Sequence, residues 1–417
     1  MFPDTSSSRF SPHSIWHSSI FLKFWIGQSV SKLGDSFAQL ALPLLILQIT
    51  PNPLALGLAE VAYMVPYLLC GFPAGALMDH LPRRRIMMLC DGIRLGIFAL
   101  LALLLIAGKL HAGTLWIIYC LQAVNGGATI FFDMGYLTAM PTIVPAPQLL
   151  AGNSAMQVSD STTQLVGPPL AGGGFQLFGA ALTLISNAAS FAVSLLSLFV
   201  IPQEFRSGEI PPRSKLTIAS VWREIAVGAR FVWKQPVLRW SIVLIGSNNF
   251  FTNVNYYVIL FRMREQFHFS GGLIGSIYGC LAVGGMVGSM VAGRVGKRLG
   301  MLPLTLGIAI VMPLTNLAFV VTTQPWVMMI AEFLLGVGIV VININILTLR
   351  QSITPDAMMG RMNSFVRITA WSLIPAGAFF GTFLAIPLGS TTIILGSSVF
   401  ATLIAGGIFL SPLRRTI

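Results

Sequence analysis

Charge is what this chain has least of. Only 9% of its 417 residues are Asp, Glu, Lys or Arg, and 13 are acidic, where a soluble domain carries about 25% charged residues. That shortage excludes an ordinary water-facing surface. Cysteine is also scarce: Cys70, Cys90, Cys120 and Cys280 all stand in apolar runs, without metal spacing or a disulfide framework, and read as small core residues. The histidines, at positions 13, 17, 80, 111 and 268, form no pair at metal-ligand spacing. No G-x-x-x-x-G-K-[ST] loop occurs to cradle a nucleotide, and no nucleophile–base pair is visible. The reading is therefore no enzyme, no metal and no cofactor. The first twenty residues are polar and lack the short apolar core of a removable signal peptide.

What the chain has instead is hydrocarbon. It is 55% hydrophobic with a mean hydropathy of +0.81. At about 20 apolar residues per crossing, twelve spans are predicted: 21–49, 54–78, 86–107, 114–138, 149–177, 180–201, 237–262, 270–293, 302–322, 326–350, 361–386 and 388–411. The fifth is polar from Asn153 to Gln164, which suits a helix that lines a cavity rather than one that faces lipid. One long polar connection, 202–236, separates two sets of six and reads as a cytoplasmic linker, helical around Val221–Trp233. The expected domains are a tail (1–20), a six-helix bundle (21–201), the linker (202–236), a second bundle (237–411) and a tail (412–417).

The net charge of +12 would point to nucleic acid in a soluble protein. Here it follows from membrane topology, because basic residues collect on the cytoplasmic side. With both termini inside, that side receives 21 of the 25 Lys and Arg residues; the outer side receives Lys109, Arg262 and Arg264, and Lys32 stays within a span. The expected setting is a bacterial inner membrane, multi-pass, with a monomeric chain and no nucleic-acid partner. Trp116 and Trp326 then each open an inward-running helix at the outer interface, where indole rings favour the headgroup level.

Those two tryptophans are 210 residues apart, and the same shift superposes Gly126 on Gly336, Thr138 on Thr348, Pro145 on Pro355, Asn153 on Asn363 and Ser154 on Ser364. Two membrane halves of equal length and like order are the mark of parallel repeats related by an axis along the membrane normal. Such proteins work as carriers, rocking one pseudo-symmetric bundle against the other.

Between the second and third spans stands G-A-L-M-D-H-L-P-R-R-R, Gly75 to Arg85. Gly75, Asp79, Arg83, Arg84 and Arg85 resemble the G-x-x-x-D-R-x-G-R-R loop of the major facilitator superfamily, with His80 and Pro82 in place of the usual Arg and Gly. The matching loop of the second half, Ser289 to Arg298, keeps Arg294, Gly296, Lys297 and Arg298 but has Gly293 where an acid is expected. Ser31-x-x-Gly34-Asp35, Pro66, Asp91-x-x-Arg94 and Leu165–Gly173 look like the macrolide and siderophore exporter branch, which is related to lysophospholipid transporters. The resemblance implies an all-α carrier of twelve transmembrane helices. It also implies a cytoplasmic gate formed by the Gly75–Arg85 loop with Asp91, Arg94 and Arg294. A carboxylate such as Asp79 at a helix end has the charge to bridge to an Arg or a facing helix N-terminus.

Ionisable groups inside a membrane are costly, and each one is a functional candidate. Asp35 sits about 14 residues, or roughly 21 Å, into the first span. Lys32 is one turn away and is expected to pair with it. Either Asp35 couples protons or substrate, or the pair only neutralises itself for insertion. Glu60, Asp133 and Glu332 are further candidates for proton or substrate coupling. Asn249, Asn253 and Tyr256 share a helical face, and with Asn343 and Asn345 they are candidates for a substrate cavity. The expected function is a secondary transporter that exports an amphipathic or hydrophobic small molecule against inward proton flow. Flipping or uptake of a lipid-like solute is the nearest rival, and a non-transporting receptor or a membrane enzyme is the rival from another class.

Overall fold

The computed structural model describes residues 15–78, 82–201 and 218–410. Asp79, most of the two expected tails and residues 202–217 of the expected linker lie outside the described residues. Among the described residues every regular element is helical. The long elements are α1 (Ser19–Ile49), α2 (Pro53–Met78), α3 (Arg83–Ile106), α4 (Leu115–Ile143), α5 (Leu149–Val200), α6 (Ile218–Lys234), α7 (Pro236–Phe261) and α8 (Gly271–Leu299). They continue with α9 (Met301–Val311) and α10 (Ala318–Val321), joined by a 3-10 turn at Met312–Leu317, then α11 (Pro325–Ile353), α12 (Asp356–Trp371), α13 (Leu373–Leu388) and α14 (Ser390–Leu410).

Ten stretches among the described residues are long and apolar enough to cross a membrane. One of them, Leu149–Val200, is two crossings: its 52 residues turn back at Gly179, where φ is 78° and ψ 172°. Only glycine occupies that region without a steric penalty. The 210-residue shift carries Gly179 onto Gly389, which turns α13 into α14 at φ 78° and ψ 154°. The repeat is thus written into the backbone as well as into side chains. α7 is long enough to cross, but Asn248, Asn249, Asn253 and Asn255 keep it out of the apolar set. Counting both arms of α5 together with α7 gives the twelve crossings expected. The chain is an all-α membrane protein.

Local chemistry places the ends. Ser18 accepts the Phe21 amide at 3.3 Å at the start of α1, and Ser270 accepts the Leu273 amide at 3.3 Å at the start of α8; each satisfies an amide that the helix start leaves open. Trp116 and Trp326 are each 62% exposed near the starts of α4 and α11, as anchors at an interface should be.

Helices α1 to α5 pack among themselves, and so do α7 to α14. In each group one aligned glycine brings backbones together: a Cβ on Gly126 would strike the Tyr63 carbonyl of α2, and one on Gly336 would strike the Leu281 carbonyl of α8. Small residues do this work in membranes because helix association there rests on close packing rather than on hydrophobic exclusion. The two groups meet along α5 with α8 and α2 with α13, two seams that the 210-residue shift maps onto each other. Gly172 lies against Gly271 and Gly275, Gly275 against Pro168, and Gly57 against Ala378 and Thr382. All of these approaches fall toward the sparsely charged end, where the turns near residues 52, 108, 268, 323 and 389 lie.

Candidate functional site

From these seams toward the other, basic end, helices α1, α5, α7, α8 and α11 surround a cavity of about 630 Å³, within the range of small-molecule sites. The first group contributes Ser36 and Gln39 from α1 with Gln157, Ser161 and Gln164 from α5. The last three, at i, i+4 and i+7, are the polar stretch that made the fifth span look unfit for lipid. The second group contributes Thr252, Asn255 and Tyr256 from α7, Tyr278 and Ser289 from α8, Asn316, and Glu332 from α11. Among the described residues no Lys, Arg or His lines this space.

Beside the cavity, behind α1, lies a compact charge network. Lys32 pairs with Asp160 at 2.5 Å and stands 4.6 Å over the Tyr136 ring. Asp35 pairs with Arg94, and Arg94 reaches Asp91 at 3.7 Å. Asp91 accepts from Ser194 at 2.6 Å, and Ser194 accepts from Gln28 at 3.1 Å. The Arg94 guanidinium also lies over Phe191 at 4.0 Å and over Phe132 at 5.4 Å, a cation–π sandwich that suits a guanidinium withdrawn from water. Asp133 accepts from Tyr67 at 3.0 Å. The Tyr67 ring stacks on Trp371 of the other group at 6.3 Å, and Arg367 covers Trp371 at 4.6 Å. Within the first group two cations thus face four carboxylates, and one edge of the network reaches across to the second group, where Arg367 adds a third cation.

This geometry corrects the expected Lys32–Asp35 pair. The two residues share a helix turn, but each finds a partner on a different neighbouring helix. Asp91 and Arg94, expected at the cytoplasmic gate, are 0% and 1% exposed inside the first group. Arg83 donates to the Thr138 carbonyl at 3.0 Å. Arg84 donates to the Leu198 and Phe199 carbonyls at 2.7 and 2.8 Å, capping acceptors that the last turn of α5 leaves unpaired. All three bonds stay within the first group. Arg85 and Arg294 are exposed, Gly75 lies in α2, and Asp79 lies outside the described residues.

The amide candidates divide. Asn249 donates to the Ala370 carbonyl at 2.9 Å, where α12 ends, and Asn253 donates to the Asn249 carbonyl at 2.8 Å; neither lines the cavity. Asn345 is buried and donates to Thr305 at 3.1 Å, and Asn343 is exposed away from the cavity. Tyr256 and Glu332 do line it. Glu60 accepts from Tyr257 at 2.8 Å, a bond from α2 to α7 that ties the groups together. Sequence reasoning missed Tyr257, Tyr278, Ser194 and the Asp160 pairing. The polar run 153–164 was the visible signal for the last.

Residues 24–380 match the family model described as Major Facilitator Superfamily. The chain is 32% identical over 213 residues to the multidrug efflux pump Tap of Mycolicibacterium fortuitum, covering 49% of this chain and 50% of that one. It is 26% identical over 151 residues to macrolide efflux protein A of Streptococcus pyogenes, covering 36% of each. The matched stretches therefore span half or less of these relatives' length. A bacterial homologue of the iron transporter ferroportin, solved in an inward-facing state, superposes with a TM-score of 0.70 at 19% identity, covering 94% of this chain and 99% of that one.

Proposed function

The chain belongs to the major facilitator superfamily of membrane transporters, and from that premise we propose that it exports an amphipathic or hydrophobic small molecule in exchange for protons. The observation that carries this reading is the cavity of about 630 Å³ between two groups of helices, with the charge network one turn behind its wall. The 21-to-3 distribution of Lys and Arg supports placing the basic end in the cytoplasm of a bacterial cell, termini included. On that assignment the seams at Gly57 and Gly172 close the outer side and the cavity serves the inner one. The moving bodies are then the bundles 21–201 and 237–411, rocking about the substrate. Efflux by the named relatives supports the outward direction.

In this mechanism the first bundle handles protons. Lys32, Asp35, Asp91, Arg94, Asp133 and Asp160 carry more acids than bases, so protonation of one carboxylate relieves uncompensated charge in a low-dielectric setting. The bridge from Asp133 through Tyr67 to Trp371 gives that event a path to the second bundle. The test is transport of a fluorescent drug in proteoliposomes under an imposed pH gradient. Uphill movement should follow the gradient and collapse with a protonophore while downhill exchange continues. Transport that ran on ATP with no ion gradient would remove the reading.

A further inference from the structure

We propose that the exposed face of α6 docks on the anionic phospholipid headgroups of the leaflet at the basic end. This inference goes beyond the export reading, and its test requires no transport. Arg223, Arg230 and Lys234 are exposed and have no ion-pair or hydrogen-bond partner among the described residues. At about 100° per residue the three stand within about 40° of one another, along a ridge about 16 Å long. The helix's one acid, Glu224, falls about 100° round from Arg223 by register. The opposite face is already taken. Val232, about 180° from Arg223, is buried in one apolar cluster with Leu238 and Ile242 of α7 and Met362 and Val366 of α12. Gly228, on the same side, meets the Arg361 carbonyl of α12 so closely that a Cβ would strike it. The apolar face is thus spent on protein, and the basic face is left without a counter-charge.

Depth selects the partner. α6 ends at Lys234 and α7 begins at Pro236, so the ridge stops one residue short of a helix that crosses the membrane. Met362 and Val366, which α6 covers, belong to the crossing stretch Arg361–Leu388. Trp233, next to Lys234, is 63% exposed, and exposed indoles favour the headgroup level. One turn further on, Arg239 lies over the Trp240 ring at 5.7 Å. A nucleic acid or an acidic protein would need the ridge to stand clear of the bilayer, whereas its end is joined to a span and flanked by an indole. A zwitterionic headgroup offsets its phosphate with a cation of its own. An anionic phospholipid presents net negative charge at the depth of the ridge, and juxtamembrane bases gain attraction there that fades within a Debye length. Because α6 packs on α12 and α7, the anchor belongs to the second group of helices.

The test is native mass spectrometry of the purified full chain in detergent, with phosphatidylglycerol and phosphatidylcholine added in equal amounts. The wild-type chain should retain phosphatidylglycerol in preference. Arg223→Gln, Arg230→Gln and Lys234→Gln combined should lower that retention by at least about 10-fold and leave phosphatidylcholine unchanged. The control combines Arg294→Gln, Lys297→Gln and Arg298→Gln, which removes the same charge from the exposed end of α8 and should keep most of the preference. Wild-type retention in the α6 variant would overturn the proposal. So would an equal loss in the control, which would make net charge the cause, or binding of single-stranded RNA through the ridge without any lipid preference. If the triple α6 variant cannot be purified, Arg230→Gln alone decides, and undiminished phosphatidylglycerol retention there also overturns it. A chain that binds the anionic lipid without moving a drug removes the export reading alone.

Discussion

A single methyl group at Gly172 separates a moving seam from a static one. A Cβ added there would lie 2.8 Å from the Gly271 carbonyl carbon and 3.2 Å from the Gly275 Cα, with the carbonyl oxygen closer still. Ordinary carbon contacts sit near ~3.5–4 Å, and both obstacles are backbone, which cannot rotate aside. Overpacking of this kind costs about 1–3 kcal/mol. Because the clash exists only while α5 and α8 are together at this end, the cost falls on the state closed there. A conformational preference displaced by that energy changes by roughly 5- to 150-fold. A state open at the sparsely charged end and populated at about 1% would rise to between roughly 5% and 60%. The control is Gly284→Ala, whose Cβ would lie 2.8 Å from the Phe333 carbonyl carbon and 3.1 Å from its Cα, equally crowded but wholly inside the second group. The assay is the spin-label distance between residues 109 and 323, in a chain freed of its native cysteines. Gly172→Ala should add a longer distance population; Gly284→Ala should lower the melting temperature and leave the distances alone. Unchanged distances in Gly172→Ala, with a melting temperature lowered as in the control, would mean that this seam is fixed packing and that the halves do not part there.

Three further outcomes follow from the contacts. Arg94→Met should lower stability by about 3–5 kcal/mol, the usual cost of stranding a buried charge, because Asp91 is fully buried; adding Asp91→Asn and Asp35→Asn should recover part of the lost melting temperature. Lys32→Met should cost less, about 1 kcal/mol, since that pair keeps roughly a quarter of its surface exposed. Its loss should be rescued by Asp160→Asn and not by Asp35→Asn, and the reverse pattern of rescue would restore the intrahelical pair. Tyr257→Phe should remove about 1 kcal/mol of net hydrogen bonding across the seam to Glu60, raising the open population read by the same label pair.

Which parts of this protein were readable in its sequence depends on the range of the interaction. The crossings are local: length, hydropathy and the glycines at turns settle them one at a time. The 210-residue repeat is legible because like positions do like work, as Gly126 and Gly336 each admit a neighbouring carbonyl. Ion pairing is not local. Lys32 and Asp35 satisfy the spacing rule for a helical pair, yet that rule describes an isolated helix. Once α3 and α5 bring Arg94 and Asp160 alongside, two cations and four acids admit many pairings, and the register between helices selects one. Nothing in α1 alone records that register.

The amide face of α7 shows the same limit in a second form. Asn249 and Tyr256 do point nearly the same way, but they stand about 10 Å apart along the axis at 1.5 Å per residue. At Tyr256 the neighbour is the open cavity; at Asn249 it is the break at Ser372, where the end of α12 offers the Ala370 carbonyl. Asn253, about 60° round from Tyr256, turns back to its own backbone. Helical periodicity therefore gave the direction of a side chain without the depth at which it acts. Depth separates a capping amide from a cavity wall, and the same logic sets Glu332 apart from Glu60. Both are acids near the outer ends of their spans, but a tyrosine hydroxyl meets Glu60 at its depth, and empty volume meets Glu332. An acid with a fixed donor is positioned to hold two helices together.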